Sequence, residues 1–445
     1  MEPYAAYHEL LEDDAVLQES LERLREGQRE HRLVFGEHPL CVSLRPQLAS
    51  RERYDQAVAA SNAVASALGA LERALLRDAE LRAELDLAPE EEELALADPG
   101  CRHSSPSARI DGFFTDRIRY VEYNAESPAG IAYSDHLAEV FESLPVMRAF
   151  RKRFRLRRLP VQLRQVAVML RAFREWGRGA KPTVAIVDWK GLPTVSEFEM
   201  FRDRLAAEGV TAVICDPMEL EYRPRRGLHA NGTPVNLVYR RVLTSELLAR
   251  GEEAGALARA ALDGAVCVVN TFRAKLLHKK MSLALLSDPR YASLYTAAQG
   301  RAIADHVPWT RKVAAHPTTH DGERIDDLPA WIAKNRDRLV LKPNDEYGGK
   351  GVVLGWTVDQ HEWEQALESA LTQSSVVQEA VPVPREPFPV ALDGVHFLDL
   401  AMDMDPYVFE GKASGCLTRL SSSALLNVTA GEGSVVPTFV VEGAR

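Results

Sequence analysis

Residues 108–114 read Ala108-Arg109-Ile110-Asp111-Gly112-Phe113-Phe114, and Arg119-Tyr120-Val121-Glu122-Tyr123-Asn124 follows a few positions later. Ala108–Phe114 and Arg119–Tyr123 are predicted as two strands joined by a short turn. On a strand, residues two apart face the same side. Arg109 and Asp111 then share one face, as do Glu122 and Asn124. An antiparallel pair would gather a guanidinium, two carboxylates and a carboxamide around one point. Asp, Glu and Asn supply the hard oxygens that a cation such as Mg2+ prefers. The competing reading is a surface hairpin carrying salt bridges.

Upstream, residues 1 to about 100 read as helical, with Leu10, Leu11, Leu17, Leu21 and Leu24 at helical spacing and a Pro-free Ala/Leu-rich run from Tyr54 to Leu76. A short helix is expected over Asp78–Leu87. The acidic run Glu90–Glu93 reads as a solvated linker. Downstream, a helix is expected from about Tyr133 to Leu144. The basic stretch 148–158 reads as a solvated helix or linker face, or as a surface for an anionic partner. From Thr183 strands and helices alternate (Val184–Val187, Ser196–Glu208, Ala212–Cys215, Leu237–Tyr239, Ala256–Leu262, Val266–Val269), which predicts a mostly parallel wound sheet. No G-x-G-x-x-G follows its first strand, so a dinucleotide site lacks its main support. Asp188–Gly191 and Tyr239–Arg241 end predicted strands, where ligands of open α/β sheets often sit. A loop-packing role fits them as well.

A second chemical signal is Leu341-Lys342-Pro343-Asn344-Asp345-Glu346-Tyr347-Gly348-Gly349-Lys350-Gly351-Val352. A lysine ends an apolar strand, and a glycine loop follows whose backbone N–H groups can approach phosphate oxygens. It is not a Walker A loop, because Lys350 precedes Gly351 rather than Ser or Thr. A plain hairpin is the alternative. Further on, Val376-Val377-Gln378-Glu379-Ala380-Val381 runs into Pro382 and Pro384, which stops the strand and exposes edge groups suited to an adenine ring. An ordinary edge strand is the alternative there.

Together these stretches resemble the ATP-grasp superfamily of carboxylate–amine ligases. The resemblance implies that Lys342, the loop Gly348–Gly351 with Lys350, the hinge Gln378–Val381 and a ribose-facing Glu386 bind ATP. Lys280, in Lys280-Met281-Ser282-Leu283-Ala284, resembles the family's upstream phosphate lysine, with Lys279 as the register alternative. Val307-Pro308-Trp309-Thr310 resembles the stretch that opens the lid. The family's Asp and Glu-x-Asn metal ligands normally follow the hinge, but here the single Glu-x-Asn is Glu122-Tyr123-Asn124. The pair resembles the R-x-D … E-x-N ending of D-alanine–D-alanine ligases. Asn124-Ala125-Glu126-Ser127-Pro128-Ala129-Gly130 is similar to the E-x-N-A-D-x-P segment of glutathionylspermidine synthetases, with Glu126 in place of Asp. The implication is a circularly permuted ATP-grasp fold: α/β, with a wound-sheet pre-ATP-grasp domain and an N-terminal helical region. Asp111, Glu122 and Asn124 would hold a pair of Mg2+ ions. Arg109 and Arg419 would stabilise charge on the transferring group, and Asn427, Ser127 and Gly130 would face substrate. The expected division is 1–107 (helical), 108–150 (metal strands), 181–295 (pre-ATP-grasp), 296–381 (lid) and 382–445 (central sheet packing on 108–150).

Composition sets outer limits. The 445 residues are 46 % hydrophobic and 27 % charged, with net charge −10, which excludes low-complexity and collagen-like chains and argues against a broad nucleic-acid surface. No apolar run approaches the roughly 18 residues of a membrane span, and the acidic start is unlike a secretory leader. Five dispersed cysteines read as reduced thiols of a cytoplasmic protein. His103, His306 and the other histidines show no ligand or nucleophile spacing. The function expected is ATP-dependent ligation of a carboxylate to an amine (amino acid, peptide or polyamine-like) through an acyl phosphate. A phosphotransferase on the same fold and a non-catalytic ATP-binding protein are the competing readings. A homodimer is a common state for such soluble enzymes.

Overall fold

The computed structural model describes residues 2–36, 38–178, 181–392, 394–423, 426 and 433–444. Asn427 lies outside the described residues.

Three helices open the chain, Pro3–Leu10, Asp14–Glu30 and Arg51–Leu75. Asp13 and Ser50 start the latter two by accepting backbone N–H bonds at their N-termini. The 25-residue helix has its apolar face (Ala57, Val64, Leu68, Leu71) against the strands of the large sheet. Ser61 Oγ and Tyr120 Oη bond at 2.7 Å across that contact.

The large sheet has nine strands. Its main path runs Arg385–Leu392, Gly394–Met402, Lys412–Ser421, Asp405–Phe409, Ser107–Phe114 and Ile118–Asn124. The strand pair of residues 107–124 thus lies beside a C-terminal strand, with Arg109 opposite Tyr407. Ser434–Ala444 branches off Lys412–Ser421 and carries Gln47–Ser50 on one side and Phe154–Arg158 on the other. Arg385–Leu392 tolerates Pro387 and Pro389 because it is an edge strand of this path, with Phe388 and Val390 turned into the core. A separate sheet of four parallel strands is ordered Cys267–Val269, Leu237–Arg240, Thr183–Val187, Thr211–Cys215. A third sheet, antiparallel, comprises Thr310–Lys312, Ser375–Glu379, Leu339–Pro343 and Val353–Leu354, and packs on the fully buried Trp363.

One local expectation is corrected. The acidic run is no linker: Pro89–Leu96 is a helix whose period turns Glu91 inward, 4 % exposed, onto Lys279 at 2.8 Å and Lys275 at 3.3 Å. The basic stretch is a helix face, Pro145–Arg153, running into the strand Phe154–Arg158, with Arg148, Lys152, Arg153 and Arg155 exposed. Arg151 meets Glu142 at 2.9 Å, Arg153 meets Glu9 at 2.9 Å, Arg157 meets Glu442 at 3.1 Å and Arg158 meets Glu139 at 3.0 Å. All five cysteines are free thiols. Among the described residues no helix is long and apolar enough to cross a membrane.

Gly415 adopts φ +78° where Lys412–Ser421 passes Val161, and a Cβ there would lie 2.1 Å from Val161 Cγ1. Gly415→Ala is therefore expected to lower stability by about 1–3 kcal/mol, read from the urea midpoint. A midpoint equal to wild type would contradict this packing.

Candidate functional site

The antiparallel register of the 107–124 pair sets Arg109 opposite Asn124 and Asp111 opposite Glu122. All four line a cleft of about 550 Å3 between the large sheet, the parallel sheet and the antiparallel sheet. Arg109 grips Asp111 with two parallel bonds, Nε–Oδ1 at 2.6 Å and Nη2–Oδ2 at 2.8 Å. Its Nη1 donates to the Ala129 carbonyl at 3.0 Å. Arg109 therefore holds both the carboxylate and the Ser127–Gly130 turn in position.

Arg419 completes the cluster. Its Nη2 lies 2.9 Å from Asp111 Oδ2 and 2.9 Å from Asp405 Oδ2, and its Nε lies 2.6 Å from Asp403 Oδ2. Three buried aspartates thus share two arginines. Burial pushes the Asp111 carboxyl up, but Arg109 and Arg419 outweigh it and hold it below the usual carboxylate range. Asp405 goes the other way. Burial, assisted by Asp111 and Asp403, overcomes Arg419 and lifts it well above that range. Asp403 and Asp405 were absent from the sequence-derived site. The signal was available: Asp403-Met404-Asp405 has the same two-residue spacing as Arg109 and Asp111.

Across the cleft, Lys280 Nζ lies 3.0 Å from Glu122 Oε1. Burial raises the Glu122 carboxyl, and Lys280 and Lys342 more than reverse that against the opposing Asp111. Lys279 faces away, onto Glu91 and the Asp86 carbonyl, so Lys280 is the lysine in the cleft. Asn344 sets this register: its carbonyl accepts from Lys280 N and its Oδ1 from Met281 N, both at 2.9 Å. Lys342 Nζ donates to Gln378 Oε1 at 2.6 Å and to the Val121 carbonyl at 3.2 Å. It thereby ties the antiparallel sheet to the 107–124 strand pair. Burial brings the Lys342 ammonium down to about 8, with Lys280 adding and Glu122 opposing.

Gly348 and Gly349 line the cleft at φ +62° and +76°, conformations that favour glycine. Glu379, Ala380 and Val381 line it at the end of the hinge strand. The backbone N–H groups of Glu379 and Ala380 are already bonded to the Trp309 and Arg338 carbonyls, each at 2.8 Å. Ser127 and Gly130 also line the cleft. Three expected contacts are not brought to it. Lys350 is exposed and pairs with Glu346 at 3.2 Å, and Gly351 does not line the cleft. Glu386 is held by the buried Arg45 at 2.9 Å, and the Arg45 guanidinium itself stacks on Phe388. That partner lies 341 positions away in the chain, beyond any local pattern.

The Glu126 side chain does not line the cleft either. It is fully buried, 2.8 Å from Arg240 and 3.4 Å from Lys275, which in turn meets Asp345 at 2.6 Å. This cluster fastens the glycine loop's base to the parallel sheet. Away from the cleft, the fold brings together two histidines whose sequence spacing gave no ligand pattern. His31 Nδ1 and His136 Nδ1 lie 3.2 Å apart, and Glu139 approaches His136 at 3.5 Å.

No protein-family model matches the chain. It is 26 % identical over 368 residues to a Frankia alni protein provisionally named glutamate–cysteine ligase 2-3, a match covering 76 % of this chain and 40 % of that protein. It is 24 % identical over 339 residues to a Frankia casuarinae protein provisionally named glutamate–cysteine ligase 2-2, covering 71 % of this chain and 36 % of that one. The chain thus spans about two fifths of the curated relatives it matches. Among solved structures, the apo form of a glutathione synthetase-like effector from Globodera pallida matches with TM-score 0.59 and 13 % identity, over 96 % of this chain and 97 % of that one. At that identity the likeness shows the fold: a mixed α/β architecture shared with a glutathione synthetase-like protein.

Proposed function

We propose that the chain is an ATP-grasp ligase. It would join a carboxylate to an amine through an acyl phosphate and release ADP and phosphate. One observation carries this reading. Two lysines, a glycine loop and a hinge strand that suit a nucleotide face the same cleft as Asp111, Glu122 and Asn124. The names of the two Frankia proteins and the glutathione synthetase-like fold support amide-bond chemistry. In this reading the fold is circularly permuted. The metal-ligand strands come early in the chain and pair with Asp405–Phe409 near its end.

The donor set suits Mg2+. It offers two carboxylates and a carboxamide oxygen on one face of the paired strands, turned into the cleft. Asp111, Glu122 and Asn124 would hold the ions, with Lys280 yielding its hold on Glu122. Bound there, Mg2+ would neutralise the triphosphate and draw the γ-phosphoryl group toward the acceptor. Lys280 and Lys342 are read as phosphate-binding charges. Arg419 stabilises charge on the transferring group, and Arg109 keeps Asp111 and the 127–130 turn in register. The loop at Gly348 and Gly349 closes over the acyl phosphate and keeps water out.

The test is purified protein with ATP, Mg2+ and pools of amino acids, peptides and polyamines. ADP, phosphate and a condensed product are expected together. A stable phosphorylated acceptor without free phosphate would make the protein a phosphotransferase instead. Unaccelerated ATP consumption with every pool would reduce it to a binding protein.

Lys342 adds a pH signature. Its ammonium loses its proton near pH 8 in the free protein, and phosphate oxygens would favour the charged form. ATP binding around pH 8 is therefore expected to take up a proton, seen by calorimetry in buffers of different ionisation enthalpy. Affinity should fall as pH rises beyond 8. Buffer-independent heats at pH 8 would contradict this.

A further inference from the structure

The half of the cleft opposite the metal-ligand strands is made by the carboxyl ends of the parallel strands. Asp188 follows Thr183–Val187, Arg241 follows Leu237–Arg240, and Glu246 lies in the first turn of the next helix, Thr244–Ala249. All three line the cleft. Strand ends of this kind are the usual ligand-binding edge of an open parallel sheet.

The charges at this end do not balance. Arg241, 5 % exposed, is matched by Glu197 at 3.4 Å. Its Nη1 is occupied by the Pro128 carbonyl at 2.7 Å and Tyr239 Oη at 3.2 Å, while its buried Nε has no partner among the described residues. Asp188 and Glu246 remain. Their hydrogen bonds come from uncharged donors: Trp189 N to Asp188 at 2.9 Å, Leu243 N to Glu246 at 3.3 Å and Tyr347 Oη to Glu246 at 3.0 Å. Burial lifts the Asp188 carboxyl to about 6 against the pull of Arg241, with Glu246 and Asp216 adding to the lift. Two part-buried carboxylates lining one cleft are stabilised by a cation that enters with the ligand.

Position also matters. Tyr347 belongs to the glycine loop, so the segment that covers the phosphate end also closes on Glu246. Arg241 is bonded to Pro128 in the turn that follows Asn124. The acceptor end and the metal-ligand strands are therefore joined by one short, bonded connection.

We infer that this end of the cleft is the acceptor subsite, and that its ligand is a cationic primary amine held by Asp188 and Glu246 beneath Tyr347. The inference rests on the ligase reading above and names its nucleophile. In the condensation the amine nitrogen forms a bond to the acyl carbon, and the carbon–oxygen bond to phosphate breaks with its electron pair on the phosphate. Of the two protons the ammonium gives up, one passes to Asp188 and on to water, and the other leaves with the phosphate. Asp188, whose carboxyl burial raises, is the base assigned to the first transfer, and Arg241, Glu246, Asp216 and Tyr347 are the charged and titratable groups around it.

The test compares two nucleophiles with ATP, Mg2+ and the twenty amino acids as carboxylate donors. One is hydroxylamine, which is uncharged above neutral pH and traps acyl phosphates as hydroxamates. The other is a pool of diamines, polyamines and amino-acid amides, scored by mass spectrometry. Wild type should form both hydroxamate and an amine condensation product. Asp188→Asn and Glu246→Gln should each raise KM for the amine about tenfold or more, with a much smaller change for hydroxylamine. Retained thermal stabilisation by MgATP checks the fold of each variant. An unchanged amine-to-hydroxylamine preference in both folded variants overturns the subsite, as does hydroxamate formation with no amine condensed. Absence of hydroxamate from wild type overturns the ligase reading itself.

Discussion

Asp111→Asn is expected to lower ATP-dependent turnover by roughly 10^2–10^3-fold while the fold persists. The substitution removes one oxygen donor and the charge that would meet Mg2+. It keeps side-chain volume, and the loss of charge is locally affordable. Arg109 and Arg419 would then still face Asp403 and Asp405, and Asp405, whose carboxyl the Asp111 charge helps to raise, ionises more readily once that charge is gone. The stability cost should therefore fall below the roughly 3–5 kcal/mol of breaking an isolated buried pair. ADP release and a urea titration on the same sample separate the two effects. Turnover within threefold of wild type would remove Asp111 from the chemistry.

Arg419→Ala has the opposite profile, with stability as its first casualty. It leaves Asp111, Asp403 and Asp405 with Arg109 alone, and about 3–5 kcal/mol should be lost near neutral pH. The loss should shrink as pH falls. Asp405 already holds its proton more tightly folded than unfolded, because burial and its two acidic neighbours outweigh Arg419. A raised carboxyl favours folding fully below its unfolded value, roughly 4. That contribution fades as pH rises through the folded value. Without Arg419 the folded values of Asp403 and Asp405 rise further, so the fading extends to higher pH. Urea titrations of variant and wild type at pH 7.5 and 5.5 should show the smaller difference at 5.5. Equal differences at both would contradict the shared-arginine account.

The strand pair was readable because a two-residue period is strictly local: Arg109, Asp111, Glu122 and Asn124 follow from pleat geometry alone. The same period marks Asp403 and Asp405, but they sit where one strand ends and the next begins, Asp405 being the first residue of Asp405–Phe409, and the alternating apolar signal gives no warning there. Glu91 was hidden for a different reason. Four consecutive glutamates look uniformly solvated, and only the helical period selects the one that turns toward Lys275 and Lys279. Asp188 and Arg241 were visible as strand ends, whereas Glu246, in the helix that follows, was not. Nor was their chemistry, since it depends on which charges burial leaves uncompensated. Glu386 failed because a ribose contact and an arginine pair ask for the same side chain, and Arg45 comes from the irregular stretch before the strand Gln47–Ser50, with no pattern pointing to it.

The central claim is that a substrate carboxylate is activated as an acyl phosphate in this cleft. Its most direct measurement uses amino acids labelled with 18O in the carboxylate, together with ATP, Mg2+ and the amine pool. One labelled oxygen should appear in each phosphate released, because the carboxylate oxygen that attacks the γ-phosphorus leaves with it. Unlabelled phosphate formed alongside product would contradict the account.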